Sequence, residues 1–167
     1  MPRMVTTLLV LAALAGAVML LTQWRASAVV QQIEAAYPPQ GQIITVDGRD
    51  VHVIVAGTGP DLVLIHGAGG NAQDFTHAFT ARLTDRYRVF AVDRPGLGYT
   101  DRADTGLDAA WTTKAETPTE QARLLAAATR QLGAERPLVL GHSYGASVAM
   151  AWALDEPASG IVVLSGA

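Results

Sequence analysis

The chain has no cysteine, which excludes disulfides and thiolate metal sites and leaves the redox compartment open. It has no excess of basic residues. The net charge of −3 at pH 7 argues against a nucleic-acid partner. Charge is sparse, at 16% of the 167 residues, whereas 50% are apolar, enough for one globular core. The glycine-rich stretch Gly67-Ala68-Gly69-Gly70 has neither a Gly-Lys-Ser/Thr ending nor a Gly-x-Gly-x-x-Gly spacing, so a phosphate cradle is not the favoured reading. No cofactor and no metal site is implied. Histidine is absent after position 143: His52, His66, His77 and His142 all precede it.

The informative stretch that is present is Leu138-Val139-Leu140-Gly141-His142-Ser143-Tyr144-Gly145. An apolar run breaks into Gly-x-Ser-x-Gly, followed at once by small residues. This pattern reads as a strand that turns sharply into a helix with Ser143 at the turn, its hydroxyl exposed by a strained backbone. Gly141 and Gly145 flank it because side chains there would collide with backbone around the turn. The Tyr144 N–H falls at the helix start, where donors are unpaired and an anion is welcome. That suits an oxygen which becomes negative during acyl transfer. The bland reading of Ser143 is an ordinary turn residue.

The first segment stands apart from any core. Met4–Leu21 is an uncharged, nearly continuous apolar run between Arg3 and Arg25. It suits a transmembrane anchor with Trp24 at the interface. A cleaved signal peptide is the competing reading, with Ala26-Ser27-Ala28 as the cleavage site. Both place the remainder on the exported side: anchored through residues 4–21, or secreted or periplasmic after cleavage near Ala28. Residues 1–28 thus form an anchor or signal peptide. Residues 29–42 form a linker, with a short helix over Val29–Tyr37 ended by Pro38-Pro39-Gln40-Gly41.

Residues 43–167 read as an α/β domain. Ile43–Val46 and Val51–Val55 flank Asp47-Gly48 as a hairpin. His52 alternates with valines and is expected to face solvent or a neighbouring strand. Leu62–Ile65 is a fully apolar strand of the parallel kind, and His66–Gly70 after it suits a loop that lends one backbone N–H to an oxyanion hole. A helix is expected over 72–83, with Phe75, Ala78, Phe79 and Leu83 inward and His77 solvated. Tyr87–Val92 is a strand, and Asp93 after it is expected to hold a turn by accepting backbone N–H groups. Residues 102–116 read as a surface loop, with Trp111 folding back on the domain. Thr117-Pro118-Thr119-Glu120 opens a helix with a capping box. That helix runs to Leu132 and buries Ala122, Leu125, Ala126, Thr129 and Leu132 before Gly133 stops it. The helix after Ser143 offers Ala146, Ala149, Met150 and Ala153 for packing, and Ile161–Leu164 is a further buried strand. The sum is a mostly parallel sheet with helices on both faces, begun by an antiparallel hairpin.

Over residues 43–167 the chain resembles the α/β-hydrolase superfamily. The resemblance rests on the entry hairpin, His66-Gly67-Ala68-Gly69-Gly70, Asp93-Arg94-Pro95-Gly96-Leu97-Gly98 and Gly141-His142-Ser143-Tyr144-Gly145, in that order. It implies Ser143 as nucleophile and the N–H groups of Ala68 and Tyr144 as the oxyanion hole. Epoxide hydrolases and haloalkane dehalogenases share the Asp93 stretch but carry Asp at the nucleophile position, so Ser143 argues against both.

In that family an acid and then a histidine follow the serine. Here only Asp155 and Glu156 follow, at the far end of the next helix and roughly 15 Å from Ser143. The expectation is therefore the N-terminal part of a serine hydrolase, either a shortened gene product or a piece of a longer chain, inactive by itself. The complete protein would act on a small-molecule ester, thioester or similar acyl bond through a Ser143 acyl-enzyme. The rival expectation is a non-catalytic binding domain at the membrane that uses the same cleft.

Overall fold

A computed structural model of the chain describes residues 2–103 and 114–166, in two units, residues 1–39 and 40–167. Trp111, with most of the expected surface loop, lies outside the described residues.

The first unit is one helix, α1 (Pro2–Ala36), 35 residues long. It continues without a break through the residues expected to begin a linker. Nothing between Leu21 and Ala36 interrupts an α-helix, and the first proline beyond is Pro38. Its most apolar window has a mean hydropathy of 2.5. By length and composition it is able to cross a membrane: about 20 residues suffice for a bilayer core. Beyond Leu21 the helix carries Arg25 and Glu34 and is no longer uniformly apolar.

The second unit is built on one six-stranded sheet. β1 (Gln42–Val46) and β2 (Arg49–Ala56) form the hairpin, with Asp47 and Gly48 at φ 49° and 75° in its turn. These values match the primed turn that an Asp-Gly hairpin favours. β3 (Asp61–Ile65), β4 (Arg88–Val92), β5 (Leu138–His142) and β6 (Gly160–Leu164) follow, and the strand order is β1-β2-β4-β3-β5-β6. β2 pairs antiparallel with β4, and the other later pairings are parallel. The fold class read from the sequence is thus the one observed.

Each face of the sheet is covered. On one face Val53, Val63, Ile65, Phe90, Val92 and Val139 pack with α3 (Pro118–Gln131) and α4 (Tyr144–Asp155). On the other, Leu62, Leu64, Val89, Ala91 and Leu140 pack with Phe75, Phe79 and Leu83. Strands buried on both faces read as unbroken apolar runs, as here. β3 lies between β4 and β5, so the chain leaves β3 toward one side and later returns to pair on the other. A crevice forms at the carboxyl ends of strands at such a switch.

Three details differ from expectation. The helix over 72–83 is only α2 (Gln73–Thr76) and a separate 3₁₀ turn (Thr80–Arg82). The Thr76 and Thr80 hydroxyls take the Gln73 and Phe75 carbonyls, a competition that shortens helices. Phe75, Phe79 and Leu83 still face the core, but Ala78 is exposed. In α4, Met150 and Ala153 point outward, while Val148, Ala151 and Trp152 are buried with Ala146 and Ala149. That helix is apolar on several faces, so its sequence does not select a stripe; Trp152 settles inward with its indole N–H on the Pro157 carbonyl. In β6, Ile161, Val163 and Leu164 are partly exposed rather than buried. His52, expected to face solvent or a neighbouring strand, takes the second alternative: it is buried and meets Asp93 beside the β2–β4 pairing.

α3 follows its sequence signals closely. Thr117 accepts from the Glu120 N–H, and Glu120 accepts from the Thr117 N–H. Ala122, Leu125, Ala126 and Thr129 are buried, and Gly133 ends the helix at φ 87°.

Candidate active site

β5 carries the chain to Ser143, and α4 starts at the next residue. Ser143 has φ 52° and ψ −121°, a conformation that costs a non-glycine residue on the order of 1–3 kcal/mol. The surroundings enforce it. The Ser143 N–H donates to the Leu164 carbonyl at 2.9 Å, and its own carbonyl accepts from the Ala146 N–H at 2.9 Å. A Cβ on Gly141 would lie 2.1 Å from the Gly145 carbonyl oxygen, and one on Gly145 would lie 2.2 Å from that of Ile65. Both clashes are with backbone, so β5, the turn and α4 close together only with glycine at both positions.

The loop after β3 abuts this turn. A Cβ on Gly67 would lie 3.1 Å from Ser143 Cβ. Ala68, the next residue, is exposed, in a tight turn in which the Gly70 N–H reaches back to the Gly67 carbonyl. Tyr144 occupies the first position of α4, where an N–H has no intrahelical acceptor. The structure therefore brings the segments of Ser143, Ala68 and Tyr144 to one place, at the carboxyl ends of β3 and β5.

Two of the four histidines, His52 and His66, are engaged otherwise. His66 is buried, with Nδ1 2.9 Å from the Gly67 carbonyl and Nε2 accepting the Arg94 N–H at 2.9 Å. Those partners fix the tautomer with the proton on Nδ1. Burial, helped by the Arg94 charge and outweighing the Gly67 carbonyl, pushes its pKa down and keeps it neutral. His52 Nδ1 lies 2.7 Å from Asp93 Oδ2, and its Nε2 meets the Gln40 carbonyl. Burial alone would lower the pKa of His52, but the bonds to Asp93 and Gln40 and the Asp93 charge carry it above its usual value. His77 is exposed, off the apolar stripe. His142 lines a pocket of about 350 Å³ with His66, Asp74, Phe75, Phe79 and Leu164.

The acids are likewise committed. Asp93 accepts from the N–H groups of Ala72 at 2.6 Å and Tyr99 at 3.0 Å besides His52. Burial alone would raise its pKa; the His52 bond, these two N–H groups and the His52 charge hold it below the usual carboxylate range. The residue thus pins the loops after β3 and β4, the role expected from its turn. Asp155 pairs with Arg123 at 3.1 Å and Glu156 with Arg130 at 2.8 Å, at the far end of α4 from Ser143. Among the described residues no cluster of His, Asp and Glu is placed to hold a metal ion.

Sequence reasoning passes over Arg94. A cation within Asp-Arg-Pro-Gly reads as a solvated turn residue, yet its side chain is buried between Tyr144, Gln121 and the His66–Gly67 backbone. The only signal for it was its place between a strand and a proline turn.

The sequence model of the alpha/beta hydrolase family matches residues 62–167. An uncharacterized protein of Mycobacterium bovis is 34% identical over 122 residues, 72% of this chain and 32% of the relative. A soluble epoxide hydrolase of Corynebacterium sp. is 32% identical over 111 residues, 66% of this chain and 35% of the relative. Among solved structures, an esterase from Exiguobacterium antarcticum superimposes with a TM-score of 0.61 at 25% identity, over 76% of this chain and 46% of that one. The chain spans about a third of the length of the curated relatives it matches.

Proposed function

Because the chain belongs to the alpha/beta hydrolase family, we propose that it carries the nucleophile and oxyanion-binding part of a serine hydrolase acting on an ester or related acyl bond. Ser143 Oγ bonds to the acyl carbon, and the carbonyl oxygen becomes an oxyanion held by the N–H groups of Ala68 and Tyr144. The alkoxide leaves as an alcohol, and water later releases the acid from the acyl-enzyme. The observation that carries this reading is the backbone at Ser143: positive φ, between two glycines that admit no side chain, against the glycine loop of β3.

The proton on Oγ needs a base. The ring nitrogens of His52 and His66 are both occupied, and Asp155 and Glu156 are paired with arginines. We place the base and its orienting acid outside the described residues of this chain. Epoxide hydrolases also occur among the relatives; the serine at position 143 supports acyl transfer over epoxide opening.

The test is turnover of an activated ester by the complete enzyme, with the base and its orienting acid present, and by its Ser143→Ala variant. The expected result is loss of the parent's turnover by several orders of magnitude in the variant. Equal turnover in both would remove Ser143 from the mechanism.

A further inference from the structure

Arg94 touches both segments that hold the oxyanion donors. Its Nε donates to the His66 carbonyl at 3.0 Å, Nη2 to the Gly67 carbonyl at 2.9 Å, and Nη1 to Gln121 Oε1 of α3 at 3.0 Å. Its guanidinium carbon sits 4.6 Å from the centre of the Tyr144 ring. The Gly67 carbonyl thus accepts from Arg94 Nη2 and from the Nδ1–H of His66, besides the longer contact from the Gly70 N–H at 3.5 Å.

That carbonyl belongs to the same planar peptide as the Ala68 N–H, and in a trans peptide the two point in opposite directions. Fixing the oxygen therefore fixes where the Ala68 N–H points. A donor on the oxygen also polarises the amide and strengthens the N–H opposite. On the other flank, the guanidinium packs on the ring of the residue that begins α4 and supplies the second N–H. The hydrogen-bond partners of Arg94 described above are all neutral, and the Glu116 carboxylate acts on its charge only through space. A buried positive charge near the place where an oxyanion forms lowers the energy of that anion.

We propose that Arg94 is a positioning residue of the oxyanion hole: it aims the Ala68 N–H through the Gly67 carbonyl and fixes the Tyr144 N–H through the aromatic ring. This rests on the reading of Ser143 as the acylated nucleophile. A cross-link that only stabilises the fold would leave the turnover of folded molecules unchanged; a positioning residue lowers kcat and spares KM.

The test compares Arg94→Lys with the parent in the complete enzyme, with the base and its orienting acid present, on an activated ester, with Ser143→Ala as control. Lysine keeps the charge and the stem but lacks the planar fork that reaches several acceptors at once. The expected result is a kcat lower by roughly 10- to 100-fold, short of the 10²–10³ seen when a donor is deleted, with KM nearly unchanged and a cooperative unfolding transition retained. Should Arg94→Lys fail to fold, Gln121→Met loosens the guanidinium without changing it, and a several-fold fall in kcat at constant KM is then expected. Ser143-dependent turnover with unchanged kcat in the folded variant overturns this inference alone. Turnover that survives Ser143→Ala overturns the nucleophile reading, and this inference with it.

Discussion

At the scale of single residues, the site depends on buried polar groups that leave no bonding capacity idle. His52 and Asp93 form one such pair and have a measurable pH signature. The pKa of His52 is raised in the fold, so its contribution is fully present below the unfolded value near 6.5 and is lost as pH rises through the folded value. The pKa of Asp93 is lowered, so its contribution is present above the unfolded value of about 3.9 and is lost as pH falls through the folded one. The pair therefore stabilises most between about pH 4 and 6.5. His66 is held neutral and opposes this trend below about pH 6.5, so a difference between variants is the clean observable. The unfolding free energy of the parent minus that of His52→Gln is expected to be larger at pH 5.5 than at pH 9, measured by denaturant titration. A difference that grows toward alkaline pH would contradict the pairing. The sequence reading of His52 left solvent and a neighbouring strand open, because alternation assigns a face but does not say what covers it, and β2 is covered on both faces. The covering group, Asp93, is distant in sequence and becomes visible only through the β2–β4 pairing.

At the scale of elements, legibility followed how sharply local chemistry discriminates. The capping box at Thr117 and the Asp-Gly hairpin formed as read, because each is satisfied within a few residues. The stretch 72–83 did not, because threonine hydroxyls compete for carbonyls that apolar periodicity ignores. The inward face of α4 was half legible, since alanine-rich helices offer several equivalent stripes. α1 is the element with the most direct test. An apolar helix with no acidic residue before Glu34 has little reason to remain in water, and we propose that it holds the protein at the membrane with the domain exported. The expected outcome is that the full chain stays in the membrane fraction after alkaline carbonate extraction. Recovery as a soluble exported protein beginning at Val29 would instead establish cleavage.

At the scale of the whole molecule, the sheet order places the loops after β3 and β5 beside one another, and the site follows from that topology. The glycines at 67, 141 and 145 were legible as a motif, but their cause is tertiary: the surfaces that exclude a side chain there come from β3, α4 and the turn itself. Arg94 was illegible because its partners lie on three separate elements. The central claim is that this arrangement makes Ser143 a nucleophile toward acyl carbon. Its most direct measurement is the mass of the peptide containing Ser143 after the complete enzyme, with the base and its orienting acid present, is incubated with an activated ester and quenched in acid. The account predicts one added acyl group, localised to Ser143 by fragmentation and absent from Ser143→Ala. Ester consumed at the parent's rate by Ser143→Ala, or an acyl group found on another residue while Ser143 stays unmodified, would contradict it.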